Sequence, residues 1–436
     1  MQISVIGCGY LGATHAAGMA ELGYDVLGVE LDGAKLTELR EGRVPFFEPG
    51  LPELLSRHVT SGRLRFTSDL QEAADVADVH FLCVGTPQRA DTIAADLSHV
   101  DAAIDALAPL LRRPCLVVGK STVPVGTAER LAARLAELAP AGSGAELAWN
   151  PEFLREGFAV ADTLEPDRLV FGVTAQGPVE VLRNVYSRAV EAGTPVVVTD
   201  LQTAELVKVA ANAFLATKIS FINAMAEVCD LVGADVAQLA DAIGHDARIG
   251  RKFLNAGIGY GGGCLPKDVR AFQHRAEELG ASRTTSLLRD VDAINQQRRA
   301  HVVVLALDEL EDRPRGRVAV LGAAFKPHSD DVRDSPALWV SAELERRGHH
   351  VVVHDPEAIP NARTLFPQLE YAADVEGALD GADLVLHLTE WPVYREIDPA
   401  KAAARVGRPR VIDGRNALDV GAWRAAGWSV RSLGRP

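Results

Sequence analysis

The 436-residue sequence holds only five cysteines, three methionines and five tryptophans, and aromatic residues make up 6%. The cysteines (Cys8, Cys83, Cys115, Cys229, Cys264) are odd in number, widely spaced and without a C-x-x-C pair. That pattern excludes a disulfide scaffold and a cysteine-rich zinc site, and it points to a reducing compartment. Positive charge is in deficit too: 45 Lys and Arg face 59 Asp and Glu, a net charge of -14. Such a surface repels a phosphate backbone, so nucleic acid is a poor partner, and an anionic ligand needs a local nest of N–H groups and a few placed cations. No uninterrupted apolar run approaches the ~18 residues of a membrane span, and Met1 leads straight into a strand-like segment, so neither a span nor a secretory leader is expected. The expectation is a soluble cytoplasmic enzyme.

What is present is ordinary globular material, 47% hydrophobic and 24% charged. The length is about three times a ~150-residue domain, so two or three packed units are expected. Over residues 1–200 short β-branched runs alternate with helical patterns, the mark of a parallel sheet covered by helices. Strands are expected at Ile3–Ile6, Asp25–Glu30, Val79–Val84, Cys115–Gly119, Leu147–Trp149 and Arg168–Val173. From Thr203 to Val232 there is neither Gly nor Pro, and apolar residues recur at helical spacing, which predicts a helix long enough to join domains. More helix follows to Leu310, the charged 311–316 stretch reads as a linker, and α/β alternation resumes with Val318–Leu321, Val351–His354, Leu384–Leu388 and Val411–Asp413. The expected division is 1–200, 201–312 and 313–436: α/β, helical, α/β.

Gly7-Cys8-Gly9-Tyr10-Leu11-Gly12 is a G-x-G-x-x-G between a strand and a helix. Gly7 serves the turn, Gly9 lets the backbone approach a pyrophosphate, Gly12 permits close helix packing, and the helix N-terminus supplies partial positive charge. Glu30 follows Gly12 by 18 residues at the end of the next strand, where a carboxylate accepts the ribose hydroxyls and favours NAD over NADP. Asp32 is a rival for that contact, and Lys35 either reaches the adenosine side or is merely solvated. The second α/β half carries Gly322-Ala323-Ala324-Phe325-Lys326 instead, so no second dinucleotide site is expected there; Lys326 after the strand end suits a ligand phosphate or is a plain surface lysine.

Four cysteines lie in or beside apolar segments and read as small buried hydrophobes. Cys264 differs, because it follows Gly259-Tyr260-Gly261-Gly262-Gly263 and precedes Leu265-Pro266-Lys267-Asp268. Pro266 opens a helix, so the helix dipole and Lys267 both favour a thiolate at Cys264, and Asp268 returns within one turn. The thiol is either a nucleophile or part of a capping turn. Lys208 and Asn212 share one face of the long helix and face a cavity or solvent. Glu152 and Glu156, in Asn150-Pro151-Glu152-Phe153-Leu154-Arg155-Glu156-Gly157, are either loop charges or face a cleft.

Together GCGYLG (7–12), VGTP (84–87), KSTVPVGT (120–127), NPEFLREG (150–157), ELVKVAANAF (205–214), GYGGGCLPKD (259–268), FKP (325–327) and DDVRDSP (330–336) resemble the UDP-glucose 6-dehydrogenase family, within the wider UDP-glucose/GDP-mannose dehydrogenases. The likeness covers nearly the whole chain. It implies two Rossmann-like doubly wound parallel-sheet domains joined by a long helix and a central all-helical dimerisation domain, and oxidation of the C6 alcohol of a nucleotide-linked hexose with two NAD and no metal. It implies that Cys264 attacks the C6 aldehyde, that Lys208 and Asn212 stabilise the oxyanion, that Asp268 assists proton transfer, and that Glu152 and Thr122 serve thioester hydrolysis. Glu156, Thr86, Thr122, Lys267 and Arg333 would join the glycine loop, Glu30 and Lys35 around NAD. Glu152, Phe153, Leu154, Lys208, Asn212, the loop Phe253-Leu254-Asn255-Ala256-Gly257, Gly261 and Lys326 would hold the nucleotide sugar; Arg248 would reach a neighbouring subunit's substrate, and Arg415 matches a C-terminal ligand contact. UDP-glucose is the leading substrate; dTDP-glucose, GDP-mannose, a UDP-N-acetylhexosamine, or a non-catalytic NAD- and sugar-nucleotide-binding regulator are the alternatives. Relatives usually carry Asp at the ribose position, and Glu30 keeps the charge on a longer arm.

Overall fold

The computed structural model describes residues 1–436, which divide into two compact units, Met1–Ala211 and Asn212–Pro436. The first contains an eight-stranded sheet of β1 (Gln2–Ile6), β2 (Asp25–Val29), β3 (Leu64–Thr67), β4 (Val79–Leu82), β5 (Cys115–Gly119), β6 (Ala145–Trp149), β7 (Leu169–Gly172) and β8 (Val196–Thr199). Its order is β3-β2-β1-β4-β5-β6-β7-β8, parallel except where β7 meets β6. The strands are apolar on both faces: Ile3, Val5, Phe81 and Val118 enter one core, while Leu27, Val29, Leu82 and Val117 enter the other. Two covered faces are what a parallel sheet with crossover helices requires. Strands β3 and β8 were not expected from the sequence; they are the two edges of the sheet, where a strand is paired on one side only.

The second unit carries a six-stranded parallel sheet of β9 (Arg317–Leu321), β10 (His350–His354), β11 (Glu370–Tyr371), β12 (Leu384–His387), β13 (Arg410–Asp413) and β14 (Ser429–Ser432), in the order β11-β10-β9-β12-β13-β14. Each sheet therefore reverses strand order once, at β1/β4 and at β9/β12. Crevices at the carboxyl ends of such switch points are where ligands bind in doubly wound sheets.

Four helices position the site: α1 (Tyr10–Glu21), α2 (Leu201–Val232), α3 (Leu265–Glu278) and α4 (Ser282–Glu309). The division between units falls inside α2. Although no unbroken apolar run exists, α2 is long and apolar enough on average to cross a membrane. Its buried polar residues find partners within the protein: Glu205 accepts from Gly126 N and Ala128 N, Ser220 donates to Val291 O, and Asn223 accepts from Gly257 N. Such partners are those of a helix built into a folded domain.

Candidate active site

The glycine loop leaves β1 at Gly7, whose φ of +86° no side chain adopts cheaply, and α1 starts three residues later. A Cβ on Gly12 would stand 1.8 Å from Gly7 O, so only glycine lets the first turn of α1 pack on the loop. A Cβ on Gly9 would meet nothing within 4 Å; that side of the loop is open. Glu30 reaches the loop, its Oε2 accepting from Cys8 N at 3.2 Å and its Oε1 from Asp32 N at 2.9 Å. The rival Asp32 caps the helix Gly33–Arg40 instead, accepting from Ala34 N and Lys35 N, and Lys35 is exposed. Open backbone, a helix N-terminus and a carboxylate at the neighbouring strand end form a set that fits a dinucleotide.

Beside the loop, the ends of β4 and β5 are stitched together. Thr86 Oγ1 donates to Thr122 O at 2.8 Å, and Ser121 Oγ donates to Val84 O at 2.7 Å. The segment 150–157 is held by buried charges. Glu152 Oε1 accepts from Phe153 N and Leu154 N at 2.8 and 3.1 Å, and Lys120 Nζ lies 3.0 Å from Glu152 Oε2. Glu48, 1% exposed, accepts from Tyr10 OH, from Gly157 N at 2.6 Å and from Ala159 N at 2.7 Å. Burial and Glu48 together push the Tyr10 phenol up. Glu48 thereby ties the glycine loop to the segment carrying the buried Glu156. Phe153 lies between two cations, with Arg168 Cζ 3.8 Å and Lys208 Nζ 5.4 Å from its ring centre.

In the second unit, Cys264 is the exposed cysteine and the N-cap of α3, which begins at Leu265 with Pro266 in its first turn. Asp268 N donates to Cys264 O at 2.9 Å, so the expected one-turn return is present. The Asp268 carboxylate, 2% exposed, accepts from Asn212 Nδ2 and Lys267 Nζ, both at 2.6 Å. The glycine approach has no room for side chains: a Cβ at Gly261 would stand 2.4 Å from Asp334 O, and one at Gly263 2.2 Å from Arg333 Cζ. Arg333, bidentate to Asp331, is thus laid against the residue before Cys264. Arg270 and Arg299 fix the next residue, Asp334, at 2.9 and 3.0 Å.

The remaining expected residues are spread more widely. Arg415 donates to the carbonyls of Leu388, Gly259 and Phe325 at 2.8–2.9 Å, clamping the glycine approach to the β9/β12 edge. Lys326 Nζ lies 5.3 Å from the Phe325 ring centre. Leu254 and Ala256 are core residues beside Ile222 and Val236, with their carbonyls held by Arg251 and Asn416, whereas Phe253 is exposed with φ +66°. Arg248 projects outward and pairs with Asp246 at 2.6 Å. Sequence reasoning missed Lys120, Glu48 and Glu205. A signal existed for two of them: Lys120 ends an otherwise apolar strand run, and Glu48 stands between two phenylalanines and a Pro-Gly turn.

A strand–glycine loop–helix with an acid at the next strand end, followed by a second doubly wound sheet, defines a dinucleotide-binding α/β protein built on two Rossmann-like sheets with helices between. More narrowly, the chain belongs to the UDP-glucose/GDP-mannose dehydrogenase family: its NAD binding domain matches residues 1–190, its central domain 202–297 and its UDP binding domain 319–420. The chain is 40% identical over 436 residues to the UDP-glucose 6-dehydrogenase TuaD of Bacillus subtilis, covering all of this chain and 93% of that one. It is 41% identical over 439 residues to the UDP-glucose 6-dehydrogenase of Rhizobium meliloti, with both chains fully covered. Among solved structures, a UDP-glucose dehydrogenase from Pyrobaculum islandicum superposes with a TM-score of 0.92 at 38% identity, covering 100% of this chain and 98% of that one.

Proposed function

We propose that this protein is an NAD-dependent UDP-glucose 6-dehydrogenase that oxidises the C6 alcohol to a carboxylate, giving UDP-glucuronate. The observation that carries the chemistry is the exposed Cys264 thiol at the mouth of α3, with the buried Asn212–Asp268 pair one turn away. The relatives at 40–41% identity carry this activity in their names, whereas a UDP-D-ManNAc dehydrogenase of Pyrococcus horikoshii stands at 27%, which favours glucose.

The glycine loop N–H groups and the N-terminus of α1 hold the NAD pyrophosphate, Glu30 holds the adenosine ribose, and Thr86, Thr122, Glu156, Lys267 and Arg333 complete the cofactor contacts. Bound there, NAD supplies the acceptor for each of the two hydrides that leave C6. The chain's own groups do the rest. An aldehyde has no group to expel, so the Cys264 thiolate adds to it and the adduct is oxidised to a thioester. Lys208 and Asn212 stabilise the oxyanion, and Asp268 moves its proton. Glu152 and Thr122 orient and deprotonate the water that releases the acid. Phe153, Leu154, the 253–257 loop, Gly261 and Lys326 hold the nucleotide sugar, with Arg415 keeping the glycine approach in place.

The 201–312 segment serves as a dimerisation domain. Phe214, Phe221 and Val228, seven residues apart on α2, are 66%, 49% and 49% exposed, an uncovered apolar stripe suited to a second copy. Arg248 then serves the partner's site. Sedimentation of the wild type and of Phe214→Ser tests the dimer. The substrate is tested by initial rates on UDP-glucose, dTDP-glucose, GDP-mannose and UDP-N-acetylglucosamine; a kcat/KM highest for UDP-glucose is expected, and preference for another sugar overturns the assignment.

A further inference from the structure

Lys120 lies one residue beyond β5 with a side chain 4% exposed. An ammonium there is costly: taken from water without a partner, it loses several kcal/mol, and an apolar side chain would fill the strand end instead. Its surroundings explain its presence. Nζ lies 3.0 Å from Glu152 Oε2, 3.1 Å from Asn150 Oδ1 and 3.3 Å from Tyr186 OH, and that hydroxyl in turn donates to Asn150 Oδ1 at 2.7 Å. The Phe81 and Tyr186 rings flank the ammonium at 6.0 and 5.8 Å.

The other titratable groups facing it are neutral. Burial pushes the Cys83 thiol and the Tyr186 phenol each up to about 12, and burial with the Lys120 charge holds the His15 imidazole well below its usual range. Glu152 supplies the anion. Burial, the largest single influence, would pull the Lys120 ammonium down, yet Glu152, Tyr186 and Cys83 together outweigh it and the net direction is up. The carboxylate is gripped at both oxygens, Oε1 by two backbone N–H groups and Oε2 by Lys120.

We propose that Lys120 is a positioning residue for the hydrolytic half of the reaction: it holds the Glu152 carboxylate in one orientation. This rests on the reading of Glu152 given above. In that step the water oxygen forms a bond to the thioester carbon, and one water proton goes to Glu152. The C–S bond breaks with its electron pair leaving on Cys264 Sγ, and the acid product sheds its remaining proton. Lys120 touches neither water nor sugar; it acts through Glu152.

The test is a single turnover with UDP-glucose and excess NAD, quenched and read by intact mass for the glucuronyl adduct on Cys264. Glu152→Gln should accumulate adduct. Lys120→Met should slow its decay about tenfold, and Lys120→Arg, which keeps a cation beside the carboxylate, should recover most of the loss. In the Glu152→Gln background, Lys120→Met should change nothing further. That double variant removes both buried charges together and keeps the test usable if the single lysine variant fails to fold. Adduct in Glu152→Gln but a wild-type decay in Lys120→Met overturns the role of Lys120 alone, as does no recovery in Lys120→Arg or a further slowing in the double variant. No adduct in Glu152→Gln overturns the reading of Glu152 and this proposal with it.

Discussion

Two glycines three residues apart give opposite predictions for the same substitution. At Gly12, an alanine Cβ would stand 1.8 Å from Gly7 O and 3.1 Å from Cys83 Cβ. A normal carbon–oxygen contact is about 3.4 Å, so the first turn of α1 must retreat by about 1.5 Å from a loop that Gly7 already holds at positive φ. Overpacking of this kind costs roughly 1–3 kcal/mol, and at ~2–4 °C per kcal/mol for a unit of this size the first thermal transition drops visibly. At Gly9, φ −70° and ψ −162° suit any residue, and the added methyl meets no protein atom. Gly9→Ala should leave the transition in place or raise it, since removing unfolded-state freedom is worth about 0.4–1 kcal/mol. The methyl instead occupies the face through which the pyrophosphate approaches. Loss of one charge-assisted contact, about 1.5–3 kcal/mol, weakens NAD roughly 10- to 100-fold. Calorimetric melting and isothermal titration of NAD against both variants make the check. A Gly9→Ala protein that binds NAD as well as the wild type would refute the placement of the cofactor, and an unaltered melting profile for Gly12→Ala would refute the packing argument.

Burial raises the thiols of Cys8, Cys83, Cys115 and Cys229, whereas Cys264 is exposed at a helix mouth. Iodoacetamide at neutral pH should therefore label Cys264 first and abolish turnover, and peptide mapping that finds Cys115 labelled faster would contradict this. Glu30→Ala should weaken NAD and narrow its preference over NADP, because the charge that repels a 2′-phosphate is gone; titration of both cofactors tests it. Burial, aided by Arg113, holds the His80 imidazole down to about 4, with Nδ1 2.7 Å from Ser4 Oγ. The unfolded chain then binds the extra proton between pH 6.5 and 4, so stability rises with pH through that window, by roughly 3 kcal/mol from this residue. Urea midpoints of wild type and His80→Asn over that range should differ in slope, and equal slopes would remove His80 from the account.

Local rules reached the features that are local in sequence. The glycine loop, Glu30 and the helix mouth at Cys264 each follow from a few adjacent residues, and α2 follows from a long stretch without Gly or Pro. Asp32 as a helix cap is local as well, but its spacing alone left it a rival to Glu30 until the hydrogen bonds to Ala34 and Lys35 gave it another role. The strands β3, β8, β11 and β14 were hidden because they are the edges of the two sheets, where the continuous apolar run of a strand covered on all sides is weakest; interior strands of the same length were legible. The buried charges were hidden for another reason. Glu48 meets Gly157 across 109 positions and Glu205 meets Ala128 across 77, so the partners that justify each charge come together only in the folded sheet.

The central claim is that one active site removes four electrons from one alcohol through Cys264. It is tested most directly by counting NADH formed per UDP-glucose consumed, in the wild type and in Cys264→Ser. Two NADH per sugar from the wild type, and a failure of the serine variant to complete the oxidation, is the predicted result. One NADH per sugar from the wild type, or a full two from the serine variant, would contradict it.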